Sequence, residues 1–158
     1  EKIDEGVVQK LPESVKIISN FAVGFGNIDL GAAKKRNIVV TNTPDVLTDA
    51  TAEIAMLILL GAARRAKEGI EWANKKNWKW SADFLMGKQL TGSRLGILGM
   101  GRIGRAVADR ARSFGMKIHY YNRSRLDKNL EKDAVYHQSL ESLLSVSDFF
   151  SNLLSQVS

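Results

Sequence analysis

The chain has 158 residues, enough for one domain with a real core, and its 44% hydrophobic and 25% charged residues exclude a disordered or fibrous polypeptide. The 23 basic and 17 acidic residues leave +6, but the bases are scattered rather than gathered on one face, so a solvated surface is expected and no nucleic-acid partner. The longest apolar run, residues 54–63, falls far short of the roughly 20 residues that span a bilayer, and no membrane partner is expected. Zero cysteines exclude disulfides, thiol catalysis and Cys-ligated metal, and fit a cytoplasmic location. No secretory signal pattern opens the chain, yet it starts at Glu1 and stops within an apolar pattern, which suggests a partial chain.

Residues 15–19 predict a buried strand and residues 21–26 the loop that leaves it. A short helix over residues 29–36 and a strand over 38–41 complete a strand–helix–strand unit, which favours a parallel sheet. Pro44 biases Thr43 away from helix and breaks the pattern. A long helix then begins near Thr48, a predicted N-cap, with Asp49 and Glu53 towards its positive end and Arg64, Arg65 and Lys67 towards its negative end. Its middle, residues 54–60, is apolar on all sides, so a domain or subunit interface is expected to cover the second face. Trp72, Trp78 and Trp80 follow in a Lys-rich stretch and are expected to act as packing residues or a docking surface.

From Thr91 the pattern sharpens. Residues 94–98 predict a strand, residues 99–104 a glycine-rich turn, and Ile103, Ala106, Val107, Ala111 and Phe114 one face of a helix that Gly115 ends. A second strand covers residues 117–121 and a loop residues 122–128. Residues 134–136, 140–146 and 148–154 repeat strand, helix, strand more weakly.

The turn Gly99-Met100-Gly101-Arg102-Ile103-Gly104 is a G-x-G-x-x-G, a weak signal alone but a specific one between a strand and an amphipathic helix. Gly99 permits the tight turn, Gly101 lets the backbone approach a pyrophosphate, and Gly104 lets the helix pack on the strand. The amides of Arg102 and Ile103 are then expected to face the phosphates at the helix N-terminus. Counting 21 residues from Gly101 reaches Asn122, where an NAD-specific site usually has a carboxylate for the ribose 2′-hydroxyl. Neutral Asn122 does not repel a 2′-phosphate, and Arg123, Ser124 and Arg125 can bind one, so NADP(H) is favoured over NAD(H).

These residues resemble the D-isomer-specific 2-hydroxyacid dehydrogenases, nearest to the glyoxylate/hydroxypyruvate reductase branch. The matching pieces are Asn20-Phe21-Ala22-Val23-Gly24, Asn27-Ile28-Asp29, Thr41-Asn42-Thr43-Pro44, Val46-Leu47-Thr48-Asp49-Ala50-Thr51-Ala52-Glu53, the run from Leu95 through the glycine turn, and Asn122-Arg123-Ser124. The resemblance implies an α/β fold. Residues 1–44 would end the first segment of a flavodoxin-like substrate (catalytic) domain, and residues 45–158 would be the N-terminal half of a Rossmann-type NAD(P)-binding domain with a doubly wound parallel sheet. It further implies that the backbone of Val23 and Gly24 holds the substrate carboxylate, that Thr51 lies near the nicotinamide, and that the helix from Thr48 forms a homodimer interface. Gly26 stands where many members have Asp, and residues 152–155 lack the Pro that usually follows the last strand.

Reduction of a 2-oxo acid needs a cation to polarise the carbonyl and a general acid to protonate the alkoxide. Family members use an Arg and a His–Glu pair, expected beyond residue 158, so no catalytic residue is assigned here. His119 and His137 match no family motif and are expected to be structural or solvated. The expected activity is NADP(H)-dependent reduction of glyoxylate or hydroxypyruvate to the D-2-hydroxy acid, with these 158 residues alone inactive. A non-enzymatic dinucleotide-sensing protein, like the corepressors related to this family, is the alternative.

Overall fold

The computed structural model describes residues 2–75 and 79–154, which fall into two compact units meeting in sequence at Leu47 and Thr48.

In the first unit, helix α1 (Glu5–Lys10) is capped by Asp4, whose carboxylate accepts the Val7 N–H at 3.0 Å. Strand β1 (Ile17–Ser19), helix α2 (Leu30–Lys35) and strand β2 (Val39–Thr41) follow, and β1 and β2 pair in parallel with Ile17 opposite Val39. Asp29 caps α2 through the Ala32 N–H at 2.9 Å. Val8, Ala32, Ala33 and Ile38 form the small core. The Arg36 guanidinium closes the end of α1 by donating to the carbonyls of Val8 and Leu11 at 2.6 and 2.7 Å.

The second unit opens with α3 (Thr48–Ala63). Thr48 is its first helical residue rather than a cap, and the helix stops earlier than its charge pattern predicts. Arg65 takes a left-handed backbone (φ 52°) while its guanidinium forks onto Glu68, and a separate helix α4 (Ala66–Ala73) starts there. Trp72 meets Phe84 edge-on at 5.6 Å and lies under Lys75, whereas Trp80 is exposed; Trp78 lies outside the described residues. Strand β3 (Arg94–Leu98), helix α5 (Arg102–Ser113), strand β4 (Lys117–Tyr121), the short helix α6 (Lys128–Glu131), strand β5 (Val135–Tyr136), helix α7 (Leu140–Val146) and strand β6 (Phe149–Asn152) complete the unit. Helix α6 was not predicted: a single turn in a charged run leaves no apolar periodicity to read.

All four strands are parallel, in the order β5-β4-β3-β6. The chain winds outward from β3 to β5 and then returns to the far side of β3. Such a reversal opens a crevice at the carboxyl ends of the two strands that flank it, here β3 and β6. Helices cover both faces. Leu95, Ile97, Ile118 and Tyr120 point to one side, where they pack with Met56 of α3 and with Val107, Ala108 and Ala111 of α5. Strand alternation turns Gly96 to the other side, where α7 sits so close that a Cβ there would strike Ser147 Oγ and Leu143.

Asp148 fixes the start of β6 against the start of β3. Its carboxylate accepts from the Arg94 amide (2.9 Å), Arg94 Nε (3.0 Å) and Lys88 Nζ (3.0 Å). The Arg94 hydrogen bond, before any other influence, holds this carboxyl far below the usual range. The strand ends at Asn152 rather than running to Leu154 as expected, although the Leu153 N–H still bonds the Leu98 carbonyl at 2.8 Å; Ser155 lies outside the described residues. No helix among the described residues is long and apolar enough to cross a membrane.

The seat of α7 is testable. Gly96→Ala forces Ser147 Oγ off the Leu143 carbonyl it bonds at 2.7 Å. It should destabilise the chain by about 1–3 kcal/mol in urea unfolding, the usual range for an overpacked core. Adding Ser147→Ala should recover part of the loss; simple addition of the two effects would show that this contact is not the cause.

Candidate functional site

The glycine turn is built by three different local requirements. Gly99 has φ 95°, a backbone that L side chains rarely adopt, and its carbonyl lies where a Cβ on Gly104 would collide with it. Gly104 is buried in the first turn of α5, so the helix reaches the sheet only because that Cβ is missing. Gly101 differs: a Cβ there would meet nothing within 4 Å, so the space above it is open. As the N-cap it also has no side chain to compete for the first-turn amides of Arg102 and Ile103. The open backbone, uncapped turn and helix dipole together suit a pyrophosphate.

Asn122 lies beside this cradle. Its Oδ1 accepts the Met100 N–H at 2.7 Å, tying the end of β4 to the middle of the glycine turn. Gly99, Gly101, Arg102, Ile103, Gly104 and Asn122 therefore come together as their spacing predicts. The basic residues that follow part company. Arg123 and Ser124 are exposed, and among the described residues neither has an ion pair or hydrogen bond. Arg125 is engaged: its Nε lies 3.1 Å from both carboxylate oxygens of buried Glu131. Sequence reasoning missed Glu131, because a lone Glu in the charged run 127–133 carries no sign that it is buried.

Thr51 lines an apolar cleft of about 420 Å³ with Ile54 and Ile58 of α3, Val107 of α5, and Phe149, Ser151 and Asn152 of β6. This cleft lies on the side of β3 where β6 pairs, next to the crevice that the strand order creates. Ile54, Leu57 and Ile58 are exposed, so the second apolar face of α3 has no cover among the described residues.

In the first unit, Asn20 Nδ2 donates to the Gly24 carbonyl at 2.7 Å and Asn42 Nδ2 to the Val23 carbonyl at 2.8 Å. Both carbonyls are thus occupied, while the N–H groups of Val23 and Gly24 have no acceptor among the described residues. Two adjacent amides held this way suit a carboxylate.

The histidines meet each other. His119 Nδ1 and His137 Nε2 are 2.9 Å apart, and His137 Nδ1 is 2.8 Å from Ser142 Oγ of α7. Burial, then His137, then Arg94 and Lys117 push the His119 pKa down. They tie β4, β5 and α7 together, a structural role. Among the described residues no group of three potential ligands could hold a metal ion.

Two outcomes are expected. Gly101→Ala should leave the melting temperature unchanged but weaken dinucleotide binding, whereas Gly104→Ala should cost about 1–3 kcal/mol of stability through its clash with Gly99. Equal loss of stability in both would contradict the open space above Gly101. His119 binds its proton less readily when folded, so its contribution is full above the unfolded value of 6.5 and shrinks as pH falls below it. Thermal melts should fall more steeply on acidification for the wild type than for His119→Gln; parallel profiles would exclude the pair as the source.

The profile of the D-isomer specific 2-hydroxyacid dehydrogenase NAD binding domain matches residues 56–157. The chain is 47% identical over 154 residues to a glycerate dehydrogenase of Hyphomicrobium methylovorum, covering 96% of this chain and 48% of that protein. It is 46% identical to a glyoxylate reductase of Thermococcus kodakarensis, covering 94% and 46%. Among solved structures it resembles a glyoxylate reductase from Paecilomyes thermophila (TM-score 0.81, 40% identity, 98% of this chain and 46% of that one). It also resembles the D-lactate dehydrogenase from Aquifex aeolicus complexed with NAD and lactic acid (TM-score 0.87, 33% identity, 97% and 45%). The chain thus spans about half the length of the curated relatives it matches. A glycine turn closed on its own carbonyl, a parallel sheet that reverses beside it and a family profile over most of the second unit agree: the chain belongs to the D-isomer specific 2-hydroxyacid dehydrogenase family.

Proposed function

We infer that the chain is part of an NADP(H)-dependent oxidoreductase that reduces a small 2-oxo acid, glyoxylate or hydroxypyruvate, to the D-2-hydroxy acid. The observation that carries the cofactor choice is Asn122. At the end of β4 a carboxylate would accept from the ribose 2′-hydroxyl and repel a 2′-phosphate. Here the side chain is neutral and its oxygen is already taken by the Met100 amide, with the cationic loop of Arg123, Ser124 and Arg125 beside it. The names of the relatives, glyoxylate reductase and glycerate dehydrogenase, support the substrate class.

When bound, the nicotinamide supplies the hydride. The chain's own residues would bind and orient: the first-turn amides of α5 at Arg102 and Ile103 would take the pyrophosphate, Gly99, Gly101 and Gly104 keep side chains out of its way, and Arg123 and Ser124 of the loop after β4 would take the adenosine phosphate. Thr51 borders the nicotinamide end, and the amides of Val23 and Gly24 hold the substrate carboxylate. Both histidines are spent on each other and on Ser142, so neither is offered to the carbonyl as the general acid. The 158 residues by themselves should therefore bind nucleotide without turnover. The exposed Ile54, Leu57 and Ile58 support α3 as the homodimer surface. A cytoplasmic setting suits a chain with no cysteine.

The full-length protein should oxidise NADPH with glyoxylate or hydroxypyruvate at a higher kcat/KM than NADH. Equal use of both coenzymes, or a preference for NADH, would overturn the reading. Arg123→Ala should weaken NADPH binding by about ten- to a hundredfold, the range of a charge-assisted phosphate contact, with NADH little changed.

A further inference from the structure

We propose that Glu131 is a positioning residue for coenzyme selectivity: it withholds Arg125 from the cofactor and braces the loop 122–126, so that Arg123 and Ser124 alone are presented to the 2′-phosphate. The proposal rests on the NADP(H) reading above and assigns different tasks to two arginines that the sequence presents as equivalent.

Glu131 ends α6 with its carboxylate 4% exposed. Both oxygens receive Arg125 Nε at 3.1 Å, and Oε2 receives Arg125 Nη2 at 3.0 Å. Oε1 also accepts from the hydroxyl of Tyr120 at 3.3 Å, a side chain with no exposed surface. That hydroxyl oxygen in turn accepts the Leu126 N–H at 3.1 Å. The chain of contacts runs from the loop backbone at Leu126 through Tyr120 to Glu131 and back to the loop at Arg125. The opposite end is held by Asn122 on the Met100 amide at 2.7 Å. Only the middle of the loop, Arg123 and Ser124, has no partner among the described residues.

Electrostatics explain why Arg125 stays. Its outer side is open, with the side chain 62% exposed, so its own charge could be solvated elsewhere. Glu131 has no such freedom. If Arg125 swung out to a phosphate, a buried carboxylate would keep only a neutral phenol as partner, which is strongly unfavourable. Arg125 is therefore spent on Glu131, and the 2′-phosphate is left to a loop whose shape that pair sets. A loop fixed at both ends presents Arg123 without the ordering penalty a slack loop would incur on binding.

The test measures dissociation constants of NADPH and NADH, by fluorescence titration of the full-length protein, for the wild type, Arg123→Ala, Glu131→Gln and Tyr120→Phe. Glu131→Gln should weaken NADPH by about tenfold while NADH changes by less than about twofold, even though residue 131 touches no part of the cofactor. Tyr120→Phe keeps both charges and removes only the hydroxyl bridge. It should give a smaller selective loss of about threefold, and it serves if Glu131→Gln does not fold. An unchanged NADPH-to-NADH ratio, or an equal loss for both coenzymes, would reduce Glu131 to a stability role and overturn the proposal. Tighter NADPH binding in Glu131→Gln would overturn it too, because a freed Arg125 would then be a phosphate ligand. Failure of the underlying reading looks different: the wild type would show no NADPH preference and Arg123→Ala no selective loss, and the proposal would fall with it.

Discussion

The cofactor unit depends on one close approach, that of Gly104 in the first turn of α5 to the carbonyl of Gly99 at the end of β3. A Cβ at residue 104 would push the helix away from the strand. Without it α5 leaves the sheet at once, lays Val107, Ala108 and Ala111 on β3 and β4, and points its amides back over the strand end. The conformation is affordable only because Gly99 adopts φ 95°. Packing and the path of the glycine turn are thus one piece of geometry.

The rest of the unit is arranged around that joint. The sheet reverses direction at β3, so the strand that carries the glycine turn is also the one flanked by β4 and β6. Asn122 reports to the turn from β4, and Asp148 sets the register of β6 through three charge-assisted bonds to Arg94 and Lys88. The apolar cleft by Thr51 and the uncovered face of α3 lie on the β6 side, where the sheet edge has no further strand among the described residues. On the opposite face, α7 approaches over Gly96 and is held by the linked histidines. The two histidines are therefore part of the scaffold.

Much of this was legible in residues 91–121, where a strand run, three spaced glycines, an amphipathic helix with Gly115 behind it and a second strand agree with one another. Local agreement of that kind leaves little for tertiary context to override. The early strands and α2 were legible as elements, Asp29 being a good cap at the right place, but β1 is not the buried strand expected, since Ile17 and Ser19 are exposed and only Ile18 packs on the small core. The end of α3 was not. Nothing in Ala62, Ala63 and Arg64 stops a helix, and the break depends on a left-handed Arg65 that its fork onto Glu68 and a bond to the Met86 carbonyl stabilise. Glu131 was illegible too, because burial of a charge is decided by its neighbours rather than by its type.

The sequence by itself determined the strand–turn–helix–strand segment at the centre of the second unit, its glycine turn and the absence of a carboxylate at residue 122, because each follows from residue type and spacing along that one segment. Tertiary structure decided which side chains are available for use. It paired His119 with His137, gave the Asn122 oxygen to Met100, and committed Arg125 to Glu131 while leaving Arg123 exposed. The reason is physical: a polar group buried by folding must find a partner, and that partner is set by which strands and helices come to lie side by side.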